Sequence, residues 1–447
     1  METGDSSYCC DMAMELLIEI LIHLPLKSLI RFTIVCKSWL HLIRNDQQFA
    51  MRHYLTKTRP SPTTLMDNVD CIVEYFGKYG RRCNSTVEED VLRLCIHSLT
   101  EKKTFRLLKK LEFGPRLNVS VSNTYHGLLC VYASSSSLRG ARILLCNPAI
   151  REVVLLPLPH NLATSSLPII AIGFDPINTN YKVVAAQPPS VFGGRGSWEV
   201  NLYSVRDGCW RSLPSIGSLD RFSSLICEPV VNANGRVINW FGYLKSTESE
   251  KGLLSFDVVD EVFFDLSMPA CLCSKSWRLR HILTSRGCEA CLCCSPFPTS
   301  VQKNDEHFNG INVWMLSRDE DQQKLWNKQF AFNLRDYNVV VWATNLWMND
   351  NEVLLHVRKG GASKEEVYHY NLFADELKRT GRFGVLTNPD GYAESLISIK
   401  ELMSPPSSSY LQAMRDEQEK EKDEVCFIRE VGRKNTDVRW SYAFKLV

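Results

Sequence analysis

The stretch LPLKSLIRFTIVCKSWLHLI, residues 24–43, is too apolar for an exposed surface and too interrupted by charge for a membrane span. With its upstream neighbour it forms a run, residues 12–43, in which 21 of 32 residues are apolar, against 45% for the whole chain. Within that run Glu15, Glu19, His23, Lys27 and Arg31 recur at strict four-residue spacing. Such spacing gathers polar groups on one slowly drifting helical face and leaves the rest of the circumference apolar. A membrane helix would not carry that ladder. Pro25 cannot continue a hydrogen-bond ladder but suits a first helical turn, so the pattern predicts one helix over 14–24 and a second from Pro25. A third is predicted over 35–43, and a fourth over QQFAMRHYL, with Asp46 placed to cap its first turn. Short helices totalling about 45 residues cannot bury this much apolar surface in their own interior. Two opposite surfaces need covering, either by the rest of the chain or by another protein.

The order of residues narrows that choice. MELLIEILIHLPLKSLIRFTIVCKSWLHLI resembles the F-box, in the plant form with its LPLKSL turn and VCKSW helix. The resemblance covers residues 12–55 and rests on ELL, then EIL four residues later, LPLKSL and VCKSW at matching spacing. In that family the helices dock on a Skp-type adaptor, which links them to a cullin-based ubiquitin ligase. The resemblance implies that Leu16, Leu17, Ile20, Pro25, Val35, Cys36 and Trp39 make the adaptor contacts or hold the helices in register. Family members usually open this region with Leu-Pro, where this chain has Met12-Ala13. Alanine lacks proline's fixed backbone and ring contact, so adaptor affinity stands to be reduced there.

Charge and composition bound the remaining classes. With 52 basic and 50 acidic residues the net charge is +2, which gives no broad field to attract nucleic acid or anionic lipid. The opening METGDSSYCCDM has no basic segment before its apolar run, so it does not read as a secretory signal. The expectation is a cytosolic or nuclear chain. In that setting the 17 cysteines read as buried free thiols or metal ligands, not as a disulfide scaffold. Residues 1–11 read as a flexible N-terminus, and TKTRPSPTT, residues 56–64, as a linker without helical or strand period.

Beyond the linker, over residues 65–447, the period changes. VNLYSVRDGCWRSLP, GRVINWFGYL, LLSFDVVDEVFFDL and NEVLLHV are β-branched and aromatic runs, and Asp207-Gly208, Asn234-Gly235 and Gly360-Gly361 are tight-turn dipeptides. Strand signals recur around Leu94, Leu145, Tyr203, Phe256, Trp314 and Tyr370, a spacing that suits one four-stranded blade per unit. The fold expected is α+β multidomain: a small helical domain, then a mainly antiparallel β-domain forming a propeller of about six blades, with a β-sandwich as the alternative. The terminal run VRWSYAFKLV would complete the first blade. HGLLCVY, LLCNPAIREVVLLP, IGFDPINTNYKVV and LYSVRDGCWRSLP, within residues 90–400, resemble the F-box-associated interaction domain of plant F-box proteins, a family that includes S-locus F-box proteins and immune regulators. That resemblance implies a domain that selects the protein to be ubiquitinated, with no catalytic residue.

Local motifs are weighed against structural roles. Asn147-Pro148 and Asp175-Pro176 read as turns. Trp198, Trp210, Trp240 and Trp277 read as core before recognition anchors, and Arg151, Arg195, Arg206 and Arg221 as solvated before substrate-selecting. Cys271, Cys273, Cys288, Cys291, Cys293 and Cys294 cluster, but the one-residue gap in CLC and the alternation in CLCC favour buried thiols over tetrahedral zinc. FGGRGS lacks the Lys-Ser/Thr of a phosphate loop. The expectation is therefore a noncatalytic substrate receptor that works by proximity and uses no cofactor or metal, with a protein substrate captured on a loop-bearing face of the β-domain. The alternatives are a propeller lectin or enzyme, and a scaffold uncoupled from the cullin.

Overall fold

The computed structural model describes residues 6–58, 118–134, 141–160, 167–189, 197–213, 216–225, 229–232, 234–246, 251–266 and 392–403, together with the individual strands named below. In the first sheet, and through most of the fifth and sixth, the description is of the backbone.

Four helices open the chain: α1 (Ser6–Ile22), α2 (Leu26–Phe32), α3 (Lys37–Asn45) and α4 (Gln47–Thr58). Helix α1 starts well before the expected residue 14, inside the stretch read as flexible. No proline stands between Ser6 and Ile22, and Ala13 lets the hydrogen-bond ladder run on. Pro25 ends that ladder and caps α2, its carbonyl accepting the N–H groups of Ser28 and Leu29 at 2.9 and 3.2 Å. The third helix starts at Lys37 and not at Val35, because Thr33-Ile34-Val35 is a β-branched run that loses side-chain freedom in a helix. Val35 and Cys36 thus lie in the α2–α3 turn, with Cys36 extended at φ −158°, ψ 169°. Asp46 caps α4 as expected, its Oδ1 accepting the Phe49 N–H at 3.0 Å. The same helix continues to Thr58, so the first three residues of the expected linker are helical, and its remainder lies outside the described residues. One side of the four helices is buried: Leu21, Ile22, Leu26, Leu29, Ile43, Phe49, Ala50 and Met51.

Among the described residues the β-domain forms six antiparallel sheets that follow one another along the chain. They are β1 (Cys71–Phe76), β2 (Asp90–Ser98), β3 (Thr104–Arg106) and β4 (Leu111–Phe113); β5 (Asn118–Tyr125), β6 (Leu128–Ser134), β7 (Arg142–Asn147) and β8 (Glu152–Leu156); and β9 (Ile169–Asp175), β10 (Asn180–Gln187), β11 (Glu199–Ser204) and β12 (Cys209–Ser212). Then come β13 (Phe222–Leu225), β14 (Val230–Val231), β15 (Val237–Leu244), β16 (Lys251–Asp257) and β17 (Val262–Leu266); β18 (Trp277–Leu283), β19 (Ala290–Pro296), β20 (Gly310–Arg318) and β21 (Lys324–Asn333); and β22 (Val339–Asn349), β23 (Glu352–Lys359), β24 (Glu365–Asn371) and β25 (Glu376–Gly381). Leu94, Leu145, Tyr203, Phe256, Trp314 and Tyr370 fall one to a sheet, so the repeat seen in the sequence is the blade. Four of the sheets are simple meanders, and in the other two β4 pairs with β2 and β13 and β14 both pair with β15. Every sheet is thus built from strands adjacent in the chain, and the fold is a β-propeller and not a sandwich. Gly360-Gly361 and VRWSYAFKLV lie outside the described residues.

Blades two to four show what fixes the geometry. Ala171, Val184, Trp198, Val200, Phe222, Ile238, Trp240 and Phe256 form one core between blades three and four. Asparagine and aspartate recur where a strand enters a turn: Asn147 Oδ1 accepts Ala149 N–H at 3.1 Å, Asp175 Oδ1 accepts Ile177 and Asn178 N–H at 3.1 and 3.0 Å, and Asp257 Oδ1 accepts Val259 and Asp260 N–H at 2.8 and 3.0 Å. Gly235 is required twice over: its φ is +76°, and a Cβ there would lie 2.5 Å from the Tyr125 ring of blade two. Its carbonyl also accepts the Phe174 N–H of blade three at 2.8 Å.

Candidate functional site

Two faces of the helical domain part company. Against the buried side named above, Leu16, Ile20, Ile34 and Val35 are 66%, 62%, 89% and 59% exposed, and Met14 and Leu40 are exposed as well. The rest of the described chain therefore leaves this apolar surface open, far more than scattered surface side chains would need. Of the residues singled out in the sequence, Leu16 and Ile20 lie one turn apart on α1, while Pro25, Val35 and Cys36 are exposed in the two turns flanking α2. Leu17 and Trp39 are half-buried, and the Trp39 ring meets the Phe32 ring edge-on at 5.4 Å, which holds α3 against α2. The polar ladder of Glu15, Glu19, His23, Lys27 and Arg31 is exposed throughout.

Sequence reasoning missed the part played by α4. His53 Nε2 is 2.9 Å from the Leu24 carbonyl, Lys57 Nζ donates to the His23 carbonyl at 2.7 Å, and Arg52 pairs with Glu19. His53 and Lys57 clamp the two carbonyls between the end of α1 and Pro25, and Arg52 adds a side-chain pair to α1 itself. Burial pushes the His53 imidazole below its usual pKa and the nearby Lys57 charge adds to this, while the bond to Leu24 opposes it. Nothing in QQFAMRHYL except the basic residues near its end hinted at this clamp.

The other side of α4 meets the propeller. Its Tyr54 ring lies edge-on to His126 at 5.1 Å, in the β5–β6 turn. His126 is boxed in by Tyr125, Phe174 and Tyr181, with Nδ1 2.8 Å from the Tyr181 hydroxyl. Burial alone drives its pKa down to about 3, so it is neutral here. It is a packing group at the joint between α4 and blade two.

Among the described residues of the β-domain, three of the four tryptophans and two of the four arginines singled out in the sequence are held in structural contacts. Trp198 and Trp240 are buried, and Trp198 Nε1 donates to the Phe222 carbonyl at 2.9 Å. Trp210 is half-buried and donates to the Pro157 carbonyl at 2.6 Å. Arg206 is bonded to the Asn178 and Thr179 carbonyls and Arg221 to Asp265, whereas Arg151 is exposed at φ 58°. Lys182 is a buried cation spent on architecture: it meets Asp175 at 2.9 Å, Glu261 at 2.8 Å and the Val258 carbonyl at 2.9 Å, tying blade three to blade four. Burial would raise the Asp175 carboxyl, but bonds from Asn178 and Lys182 hold it below its ordinary range. Cys130 and Cys146 are buried thiols, Cys146 being pushed up to about 12 by burial. Cys271, Cys273, Cys288 and Arg195 lie outside the described residues, and so do the side chains of Cys291, Cys293, Cys294 and Trp277. Among the described residues no three His, Cys, Asp or Glu side chains come together as a metal site, and no helix is long and apolar enough to cross a membrane.

Comparison with known proteins follows the same division of the chain. Residues 9–49 match the F-box domain, and residues 67–389 match the F-box associated beta propeller domain. An F-box/kelch-repeat protein of Arabidopsis thaliana is 26% identical over 414 residues, covering 88% of this chain and 96% of its own. An F-box protein of the same plant is 21% identical over 326 residues, covering 70% and 73%. Among solved structures, the β-propeller domain of the Trilobed protease from Pyrococcus furiosus superposes with a TM-score of 0.38 at 12% identity, over 72% of this chain and 83% of that one. The match over 67–389, which spans most of the 447 residues, coincides with the six sheets. The chain belongs to the family of proteins that carry an F-box-associated β-propeller domain behind an F-box.

Proposed function

We propose that this chain is the substrate-recognition subunit of a cullin-based ubiquitin ligase, acting in the cytosol or nucleus. An F-box ahead of a β-propeller fits a substrate receptor in general. The finer reading is that Leu16, Leu17, Ile20, Pro25, Val35, Cys36 and Trp39 bind a Skp-type adaptor, and that the propeller captures a protein for ubiquitination. The observation that carries it is the exposed apolar surface at Met14, Leu16, Ile20, Ile34, Val35 and Leu40, which the propeller leaves uncovered. Removing such a surface from water in a complex is favourable by roughly 25 cal/mol per Å² of apolar area. The receptor itself needs no acid, base or nucleophile, because holding a target lysine near activated ubiquitin raises its effective concentration.

The end of the propeller available to a substrate follows from strand direction. The β5–β6 and β7–β8 turns leave blade two from one end, and that end meets the F-box through His126 and holds residues 392–403 through Asn147. The connections from β6 to β7 and from β8 to β9 leave from the opposite end. A substrate held there sits away from the adaptor. Calorimetry of the full-length chain with a plant Skp-type adaptor tests the reading. Tight binding that weakens at least about tenfold, or 1.4 kcal/mol, in Leu16→Ala and Trp39→Ala supports it. Absence of binding by the unaltered chain overturns it.

A further inference from the structure

Residues 392–403 come back, after all six blades, to lie between blade two and the F-box. On the propeller side they are bound by three residues of the β7–β8 corner. The Asn147 amide donates to the Ser395 carbonyl at 3.2 Å, to Ser395 Oγ at 3.1 Å and to the Ile397 carbonyl at 2.7 Å. Ala149 N–H donates to the Tyr392 hydroxyl at 2.9 Å. The Glu152 carboxylate accepts from Ile399 N–H at 2.8 Å, from Ser398 Oγ at 3.2 Å and from Lys400 N–H at 3.4 Å. The segment lies directly on the neighbouring β5–β6 turn, where a Cβ on Gly127 would be 2.6 Å from Ser395 Oγ and 2.8 Å from the Ala393 carbonyl. Tyr392, Leu396, Ile397 and Ile399 are all buried.

The opposite side of the same segment faces the F-box. Gln47, buried at the start of α4, donates to the Ser398 carbonyl at 3.2 Å, and Asn45 donates to Glu401 at 3.0 Å. Ser398 is the meeting point, its carbonyl holding the F-box and its hydroxyl holding blade two. A buried amide joined to several partners loses all of them if the segment lifts, and each unsatisfied group then carries its desolvation cost.

We propose that residues 392–403 are a strap that fixes the F-box on the propeller in one orientation, with Asn147 and Gln47 as its positioning residues. The covalent connection leaves α4 at Thr58, and the strap holds the same domain from the far end of the blade series. The adaptor-docking face and the substrate-bearing propeller then move as one lever, so the strap sets which lysines come within reach of transferred ubiquitin. This step rests on the receptor reading above.

The test uses the full-length chain with spin labels introduced as non-canonical residues at Lys37 and Glu199, both exposed, and reads the distance between them. A single narrow distribution is expected. In Asn147→Asp, which keeps the acceptor for Ala149 N–H but removes the amide donors, and separately in Gln47→Ala, it should broaden about twofold or more. Asn371→Ala, which removes the comparable turn bond to Ala374 N–H in blade six, should leave it unchanged. A wild-type-like distribution in Gln47→Ala, folded by near-ultraviolet circular dichroism, overturns the strap even if Asn147→Asp does not fold. The second readout is the set of the chain's own lysines modified in a ligase reconstituted with adaptor, cullin and ubiquitin. The set should widen in Gln47→Ala while adaptor affinity stays within about twofold. An unchanged set with a broadened distance overturns the positioning role. Failure of the unaltered chain to bind adaptor removes the receptor reading and leaves the distance measurement standing.

Discussion

Asn123 shows how much a single side chain contributes to closing this propeller. Its amide donates to the Ile172 carbonyl at 2.7 Å and its carbonyl oxygen accepts the Ile172 N–H at 2.9 Å, so one side chain of blade two pairs with blade three as a strand would. The bulge between Val121 and Thr124 aims it there, and Ser122 Oγ takes over the Cys130 N–H at 2.7 Å. Asn123→Ala leaves two buried backbone groups without partners and should cost about 2–5 kcal/mol in denaturant unfolding. His126 makes a prediction of the opposite kind, in which pH is the variable. Its folded pKa is about 3, against about 6.5 when unfolded, so below 6.5 the unfolded chain takes up a proton that the folded chain refuses. The stability it contributes is complete above pH 6.5 and is lost as pH falls toward 3, by about 1.4 kcal/mol per pH unit. His126→Asn tolerates the positive φ and should flatten the stability-versus-pH curve between pH 6 and 4 by that slope. An unchanged slope would mean that this ring already titrates in the folded chain.

Helix α4 has the largest structural role for its length. It carries the Asp46-capped first turn, the clamp on the end of α1, the Gln47 bond to the strap and the Tyr54 contact with blade two. Asp46→Ala removes its only described side-chain cap and should cost about 1 kcal/mol, read as a lower melting temperature with the propeller core intact. Elements of this kind were half legible in the sequence. Helix breaks at Pro25, the Asp46 cap, the six repeats and the turn dipeptides at Gly208 and Gly235 are local chemistry, and local chemistry is visible in local sequence. The start of α3 differs from the expected Val35 because the β-branched run from Thr33 to Val35 holds the chain in a turn until Lys37. The earlier start of α1 has no such signal, since the polar ladder that marks the helix begins only at Glu15. The strap was illegible for a different reason: Asn147 reads as the first residue of an Asn-Pro turn, and its three amide bonds go to residues some 248 to 250 positions away. No period or motif encodes a partner at that separation.

Seen whole, the molecule divides its apolar surface into a part that is sealed and a part that is kept open. The sealed part runs from the F-box interior through the strap into the blades, with Leu29, Ile43, Ile397, Leu129 and Ile172 all essentially inaccessible. On the F-box the open part lies on α1, the α2–α3 turn and α3, where no other described segment lies over Leu16, Ile20, Ile34 or Val35. Substitutions on the two parts should therefore behave in opposite ways. Leu16→Glu together with Ile20→Glu puts charge where water already is, so melting should stay within about 0.5 kcal/mol of wild type. The same pair should raise the solubility of the chain alone and abolish adaptor binding, because a carboxylate cannot be desolvated in that contact without a partner. Leu29→Glu, in contrast, buries an unpaired charge among packed helices and should unfold the F-box outright. Light scattering of the chain alone, before and after adding adaptor, separates the cases. Self-association that disappears with either the adaptor or the double glutamate variant identifies the open face as the docking surface. If the double variant melted early, Leu16 and Ile20 would belong to the interior, and the division of surfaces drawn here would fail.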